Sequence, residues 1–176
     1  MACSGARALW WERSARLRLS PGGKSMALDN EALVRRYFAE VWSQGNLAVI
    51  DELVTLHHIT HDPIAGEIRG PAPIKAQVRA YRDAFPDLNF VLDDVVASGD
   101  RVAIRWTATG THERSFMGIA PTGKTQSIVG LSIARVANGK LLESWTSFDT
   151  LRLAQNLGLA PRMEPRSASR IAVRSN

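Results

Sequence analysis

Residues 126–148 read QSIVGLSIARVANGKLLESWTSF, and the Asn138-Gly139 pair inside them decides the fold of the C-terminal half. Both residues tolerate positive φ, which a tight two-residue hairpin turn requires. The flanking residues 126–137 and 140–148 are therefore predicted as paired antiparallel strands. Upstream, residues 101–111 place Val102, Ile104, Trp106 and Ala108 on one face and Arg105, Thr107 and Thr109 on the other, the period of two that marks a strand. Gly99-Asp100 supplies a turn to a further strand over 88–96, and residues 113–124 form a long loop. A short helix around 151–157, capped by Asp149 and ended by Gly158, closes the run.

Before Pro86 the period is near four instead. Asp29 or Asn30 is placed to cap a helix on which Leu33, Val34, Tyr37, Phe38, Val41 and Trp42 recur at helical spacing, up to Gly45. A second, short helix follows over 47–53. In GPAPIKAQVRAYRDAFP, prolines near the start and a stripe of Ile74, Val78, Tyr81 and Phe85 predict a third, which Pro86 ends. Helices first and strands second imply an α+β domain, a helix-backed cone whose strongly curved, mostly antiparallel sheet encloses one pocket.

The chain has 176 residues, 45% of them apolar, enough for one domain with a real core. No apolar run approaches the roughly 20 residues needed to span a bilayer, so no membrane association is expected. Cys3 is the only cysteine, which excludes an internal disulfide and a thiolate metal cluster and fits a reducing, cytoplasmic setting. The net charge of +5 sits at the ends: residues 1–26 carry +4 and residues 159–176 carry +3, leaving −2 for residues 27–158. That balance speaks against nucleic acid as a partner. Residues 1–26 and 159–176 read as basic extensions outside the fold, and residues 27–158 as the domain. The N-terminal stretch is too broken for a secretory signal; a transit peptide and a start at Met26 both fit it, the second better.

Five stretches, AFPDL, SGDRVAIRWTATGTH, GIAPTGK, RVANGKLLESW and FDTLRLAQNLG, in this order between Glu31 and Gly158, resemble the SnoaL-like polyketide and ester cyclases of the nuclear-transport-factor-2-like superfold. The resemblance implies the cone of three helices and a curved sheet, a homodimer, and a reaction with no metal or organic cofactor. It also implies an aspartate on the last strand as acid and base of an intramolecular aldol closure, helped by a histidine on the strand before. Aligned on Arg135 and Gly139, those positions fall on Thr146 and Ser132. A threonine hydroxyl titrates far above neutral pH, so the family's mechanism does not carry over as it stands.

Other residues are candidates for the chemistry. In HHITHDP, His61 and Asp62 project to opposite faces of a strand, and His61 is placed inside the pocket; the alternative is a turn fixed by Asp62 before Pro63. His57 and His61 share a face but lack a third ligand, so no metal site is expected. His112, at the end of a central strand, is a second acid/base candidate. Arg105, mid-strand, either pairs with Glu143 or binds a ligand's carboxylate or enolate. Trp106 and Trp145 are wall residues. Ser132, Ser144 and Thr146 are a mildly polar floor, while Phe116 and Met117 close the mouth or meet a partner subunit.

The function these readings imply is cofactor-free proton transfer, by cyclisation, isomerisation or dehydration, on a small, apolar, carbonyl-containing ligand. His61 and His112 do the acid/base work and Arg105 supports them. A non-catalytic ligand-binding or dimerisation module is the alternative, and an accessory protein whose basic ends meet an acidic partner is a third.

Overall fold

The computed structural model describes residues 21–161. Helix α1 (Pro21–Arg36) runs on as a wider π-helical segment, Tyr37–Ser43, before a 3-10 turn at Leu47–Val49 and the short α2 (Ile50–Leu53). Strands β1 (Val54–Asp62) and β2 (Gly66–Arg69) then form a hairpin, followed by α3 (Pro71–Ala84). The strands β3 (Asn89–Ser98), β4 (Arg101–Thr111), β5 (Thr125–Ala137) and β6 (Lys140–Phe148) precede α4 (Thr150–Leu157).

The Asn-Gly hairpin is present, with φ of 51° at Asn138 and 71° at Gly139. Asp149 caps α4 by accepting from the Arg152 N–H at 2.8 Å, and Gly158 ends the helix in the left-handed conformation. Two expectations at the first helix change. It starts at Pro21, ahead of the Asp29/Asn30 cap, and the Asn30 amide instead donates to the Gly99 carbonyl at 2.9 Å, tying the helix to the β3–β4 turn. Most of the basic extensions, residues 1–20 and 162–176, lies outside the described residues.

The strand order is β2-β1-β6-β5-β4-β3. Every neighbouring pair is antiparallel except β1 with β6, which are parallel. β2 and β3 remain as edges, so the sheet is open; the enclosure expected of a strongly curved sheet is made by helices laid over one face. Strict alternation of exposed and buried residues along β5 separates an outer face from this inner one. The main core joins Val34, Phe38 and Val41 to Ile74, Val78, Ile104 and Trp106, and a smaller cluster gathers Phe85, Leu88, Phe116 and Ile128. Arg82 of α3 pins the layers: its guanidinium donates to the carbonyls of Trp42, Ser43, Leu88 and Pro86 at 2.5–3.1 Å.

Among the described residues no helix is long and apolar enough to cross a membrane.

Candidate functional site

Between the inner face of the sheet and the helices lies a cavity of about 130 Å³, room for several waters or one small organic molecule. Its wall is largely aromatic and aliphatic, with Tyr37, Phe38 and Trp42 from the π-helical segment facing Phe90, Trp106 and Phe148 from the sheet. The π-helical segment thus brings three bulky rings, from positions 37, 38 and 42, to one wall of the cavity.

Four sequence candidates line this cavity: Ser144, and with it Trp106, Ser132 and Thr146. The last three are connected: the Trp106 indole N–H donates to Ser132 Oγ at 3.0 Å, and Ser132 Oγ is 3.0 Å from Thr146 Oγ1. Gly130 makes the arrangement possible, because a Cβ there would fall 2.2 Å from Trp106 Cζ2.

The remaining candidates lie elsewhere. His61 stands opposite Trp145 in the parallel β1–β6 register, so both face outward; the rings stack at 5.4 Å and His61 Nε2 is 3.0 Å from Glu143. Alternation therefore puts Asp62, not His61, in the pocket wall. Arg105 is on the outer face as well. It binds Asp94 at 2.6 Å and Asp93 at 3.3 Å on the adjacent β3, where a bulge brings both acids within reach. Glu143 lies two strands away and takes Arg135 and His61 instead.

His112 is fully buried behind the pocket. It stacks on Phe85 at 5.2 Å, and its Nδ1 accepts from the Thr122 N–H at 3.3 Å. Phe116 is buried between Tyr81 and Phe85, at 4.9 and 5.4 Å. Met117, at φ 51°, is exposed at the tip of a turn and closes no mouth. None of these six side chains, His61, Trp145, Arg105, His112, Phe116 and Met117, lines the cavity.

What the sequence reading missed is the inner row of β1: His58, Thr60 and Asp62. Among the described residues Asp62 is the only carboxylate of the lining. Its Oδ1 accepts from the Ile64 and Ala65 N–H groups at 2.8 Å each, and its Oδ2 from Gln77 Nε2 at 3.0 Å. The expected Asp62 turn is thus real, and it fixes the carboxylate at the pocket wall. Burial, and then the Asp62 charge, push the Tyr81 phenol well above its ordinary range, and burial pushes Tyr37 up to about 12, so both stay protonated donors.

His58 is buried beneath the floor. Its Nε2 is 2.9 Å from Thr60 Oγ1 and 3.3 Å from Ser144 Oγ, and both hydroxyls line the cavity. Burial lowers its proton affinity, opposed by the Leu141 backbone and the Glu143 charge, so the imidazole is neutral at pH 7. The even positions of HHITHD carry the signal, but a pocket-facing strand is polar inside, which removes the contrast by which alternation is normally read. Among the described residues no three His, Cys, Asp or Glu side chains gather as a metal site.

Residues 32–157 match the family model described as SnoaL-like polyketide cyclase. Among solved structures, AclR, a candidate hydroxylase from Streptomyces galilaeus, is 28% identical with a TM-score of 0.70, over 78% of this chain and 86% of that one. A candidate polyketide cyclase from Acidithiobacillus ferrooxidans is 30% identical with a TM-score of 0.67, over 75% and 96%. IdmH, a candidate polyketide cyclase from Streptomyces antibioticus, is 28% identical with a TM-score of 0.65, over 73% and 98%. A comparison with curated proteins gave no match.

Proposed function

The chain belongs to the SnoaL-like polyketide cyclase family, and on that premise we propose that it moves protons on a small, mostly apolar, carbonyl-containing ligand. The reaction class is cyclisation, isomerisation or dehydration, carried out by side chains without a cofactor. Family membership alone does not choose a chemistry, since its structural relatives include candidate cyclases and a candidate hydroxylase. The observation that carries the reading is an aromatic-walled cavity holding a single carboxylate, Asp62, in the company of a protonated phenol, Tyr81.

In this reading Asp62 accepts the ligand's proton directly, and Tyr81 donates to the carbonyl that gains negative charge. Among the described residues no cationic side chain lines the pocket, which favours neutral ligands over carboxylates. His61 and His112 have no part in it. A thermal-shift screen of the full chain against polyketide-like esters, cyclic ketones and aromatic carbonyls tests binding, and incubation of each hit tests turnover. A hit converted to product supports the reading; hits recovered unchanged would replace it with a binding module.

That second reading has its own observation. Thr146 and Ser132 are neutral, and the Asp62 oxygens already accept three hydrogen bonds, from the Ile64 and Ala65 N–H groups and from Gln77, a role in holding the turn that needs no catalysis. For the assembly we propose a homodimer through the outer sheet face, supported by the exposed Val129, Leu131 and Ile133 on the central strand β5.

A further inference from the structure

The pocket floor holds two chains of hydrogen bonds, which take opposite polarity when Ser132 donates to Thr146 and the His58 proton sits on Nδ1. The first begins at Trp106, whose indole only donates. Its N–H goes to Ser132 Oγ, and Ser132 lies 3.0 Å from Thr146 Oγ1. With Ser132 passing its own proton to Thr146, the Thr146 hydroxyl is left to donate into the cavity.

The second chain runs the other way. Ser144 Oγ donates to Thr60 Oγ1 at 3.3 Å, and Thr60 Oγ1 lies 2.9 Å from His58 Nε2. It ends on a buried imidazole, whose unprotonated nitrogen accepts and cannot donate. The relay uses the Nδ1–H tautomer: Nε2 is the nitrogen that the hydroxyls reach, and the Leu141 backbone beside the ring favours a ring N–H, while Nδ1 itself has no hydrogen-bond partner within reach among the described residues.

The geometry points to His58 as a second proton acceptor of this pocket, reached through the Thr60 hydroxyl, with Thr146 holding the ligand's carbonyl opposite it. This rests on the proton-transfer reading above. Thr146 and Ser144 are two residues apart on the inner face of β6, so their side chains stand about 7 Å apart, the span of a carbonyl and a carbon a few bonds away. In the step, a C–H bond next to the carbonyl breaks and its proton passes to Thr60 Oγ1 while the Thr60 proton moves to His58 Nε2. The electron pair left behind spreads onto the carbonyl oxygen, which accepts from Thr146. Return of the proton along the same path to another carbon completes an isomerisation, and no oxidant or reductant is consumed. His58 acts through Thr60 and does not touch the ligand, so its role is that of a relay.

The groups that set its charge state are Glu143 from β6, which favours the protonated ring, and His61 on its own strand, which disfavours it; burial outweighs both. The relay therefore fails as pH falls below the ordinary histidine range near 6.5.

The test follows deuterium incorporation into 2-tetralone in D2O by NMR, with the full chain, between pH 5 and 8. Wild type is expected to accelerate exchange, with an acid limb below pH about 6.5. His58→Gln and the near-isosteric Thr60→Val should each lower the rate about tenfold or more and abolish that limb, while Thr60→Ser restores both. Exchange and an acid limb retained in His58→Gln and Thr60→Val would overturn the relay and leave the proton-transfer reading standing. No exchange by wild type would overturn both. Independently of any ligand, nitrogen NMR of the imidazole should show Nε2 bare at pH 7 and perturbed by Thr60→Val; a proton on Nε2 at that pH overturns the relay.

Discussion

The indole of Trp106 occupies the space above Gly130 that a side chain would fill, with Cζ2 and Cη2 at 2.2 and 2.4 Å from the position of a Cβ. Gly130→Ala therefore forces the ring away from Ser132 and the pocket wall. A loss of about 1–3 kcal/mol in stability is expected from overpacking. Denaturant unfolding measures the loss, and a shift in tryptophan emission reports the displaced ring.

Asp62→Asn keeps the shape of the β1–β2 turn, because the amide oxygen still accepts from the Ile64 and Ala65 N–H groups. Turnover of a converted ligand is expected to fall by about 10² to 10⁴ with little change in unfolding midpoint. Asp62→Ala instead leaves those donors and Gln77 without their acceptor, at about 1–3 kcal/mol. Comparing kcat and Tm of the two variants separates the chemical role from the structural one.

His58 has a lowered pKa in the folded protein, and the unfolded chain takes up its proton first as pH falls. Stability contributed by the neutral ring is thus complete above about 6.5 and is lost as pH drops through the native value. Wild type should show this decline in unfolding free energy on acidification, and His58→Gln should lack that part of the slope. Chemical denaturation at a series of pH values checks it.

His61 faces away from the cavity, against Trp145 and Glu143. His61→Ala should leave turnover unchanged and cost about 0–1 kcal/mol, the range of a partly exposed polar contact. Kinetics on the ligand used for Asp62→Asn decide the point, and a large fall in kcat would contradict the outward placement.

Leu131 stands on the outer face of β5 with 60% of its surface exposed. In a dimer formed across that face, Leu131→Glu places two charges at the contact and should shift sedimentation toward the monomer. A wild-type chain that sediments as a monomer would remove the dimer proposal.

Strands β4 and β6 were legible in the sequence to their last residues, because Gly99-Asp100 and Asn138-Gly139 mark where the chain turns and period-two burial fills the space between. Helix α3 was equally plain, bounded by prolines on both sides. The start of α1 was not, since residues 21–23 are Pro-Gly-Gly, a composition that suggests a loop. β2 escaped notice because four residues beginning with glycine carry too few alternations to show a period. In β1 the outward row includes Ile59 while the inward one is His58, Thr60 and Asp62, the reverse of a core-facing strand. Only the register of β1 against β6, a tertiary fact, says which row faces the ligand.

The hydrogen bond between Ser144 and Thr60 joins residues 84 positions apart, across the one parallel pairing in the sheet. The antiparallel run from β3 to β6 connects neighbours in sequence, and such local contacts form early. The β1–β6 seam must wait for the last strand to leave the ribosome. During synthesis the helices and most strands therefore emerge before the seam that completes the floor, the interval in which partially built domains stick to one another. A fragment ending before residue 144 would keep most of the helices and strands, with Asp62 and Tyr81 among them, and lose the Ser144 and Thr146 hydroxyls that complete the floor.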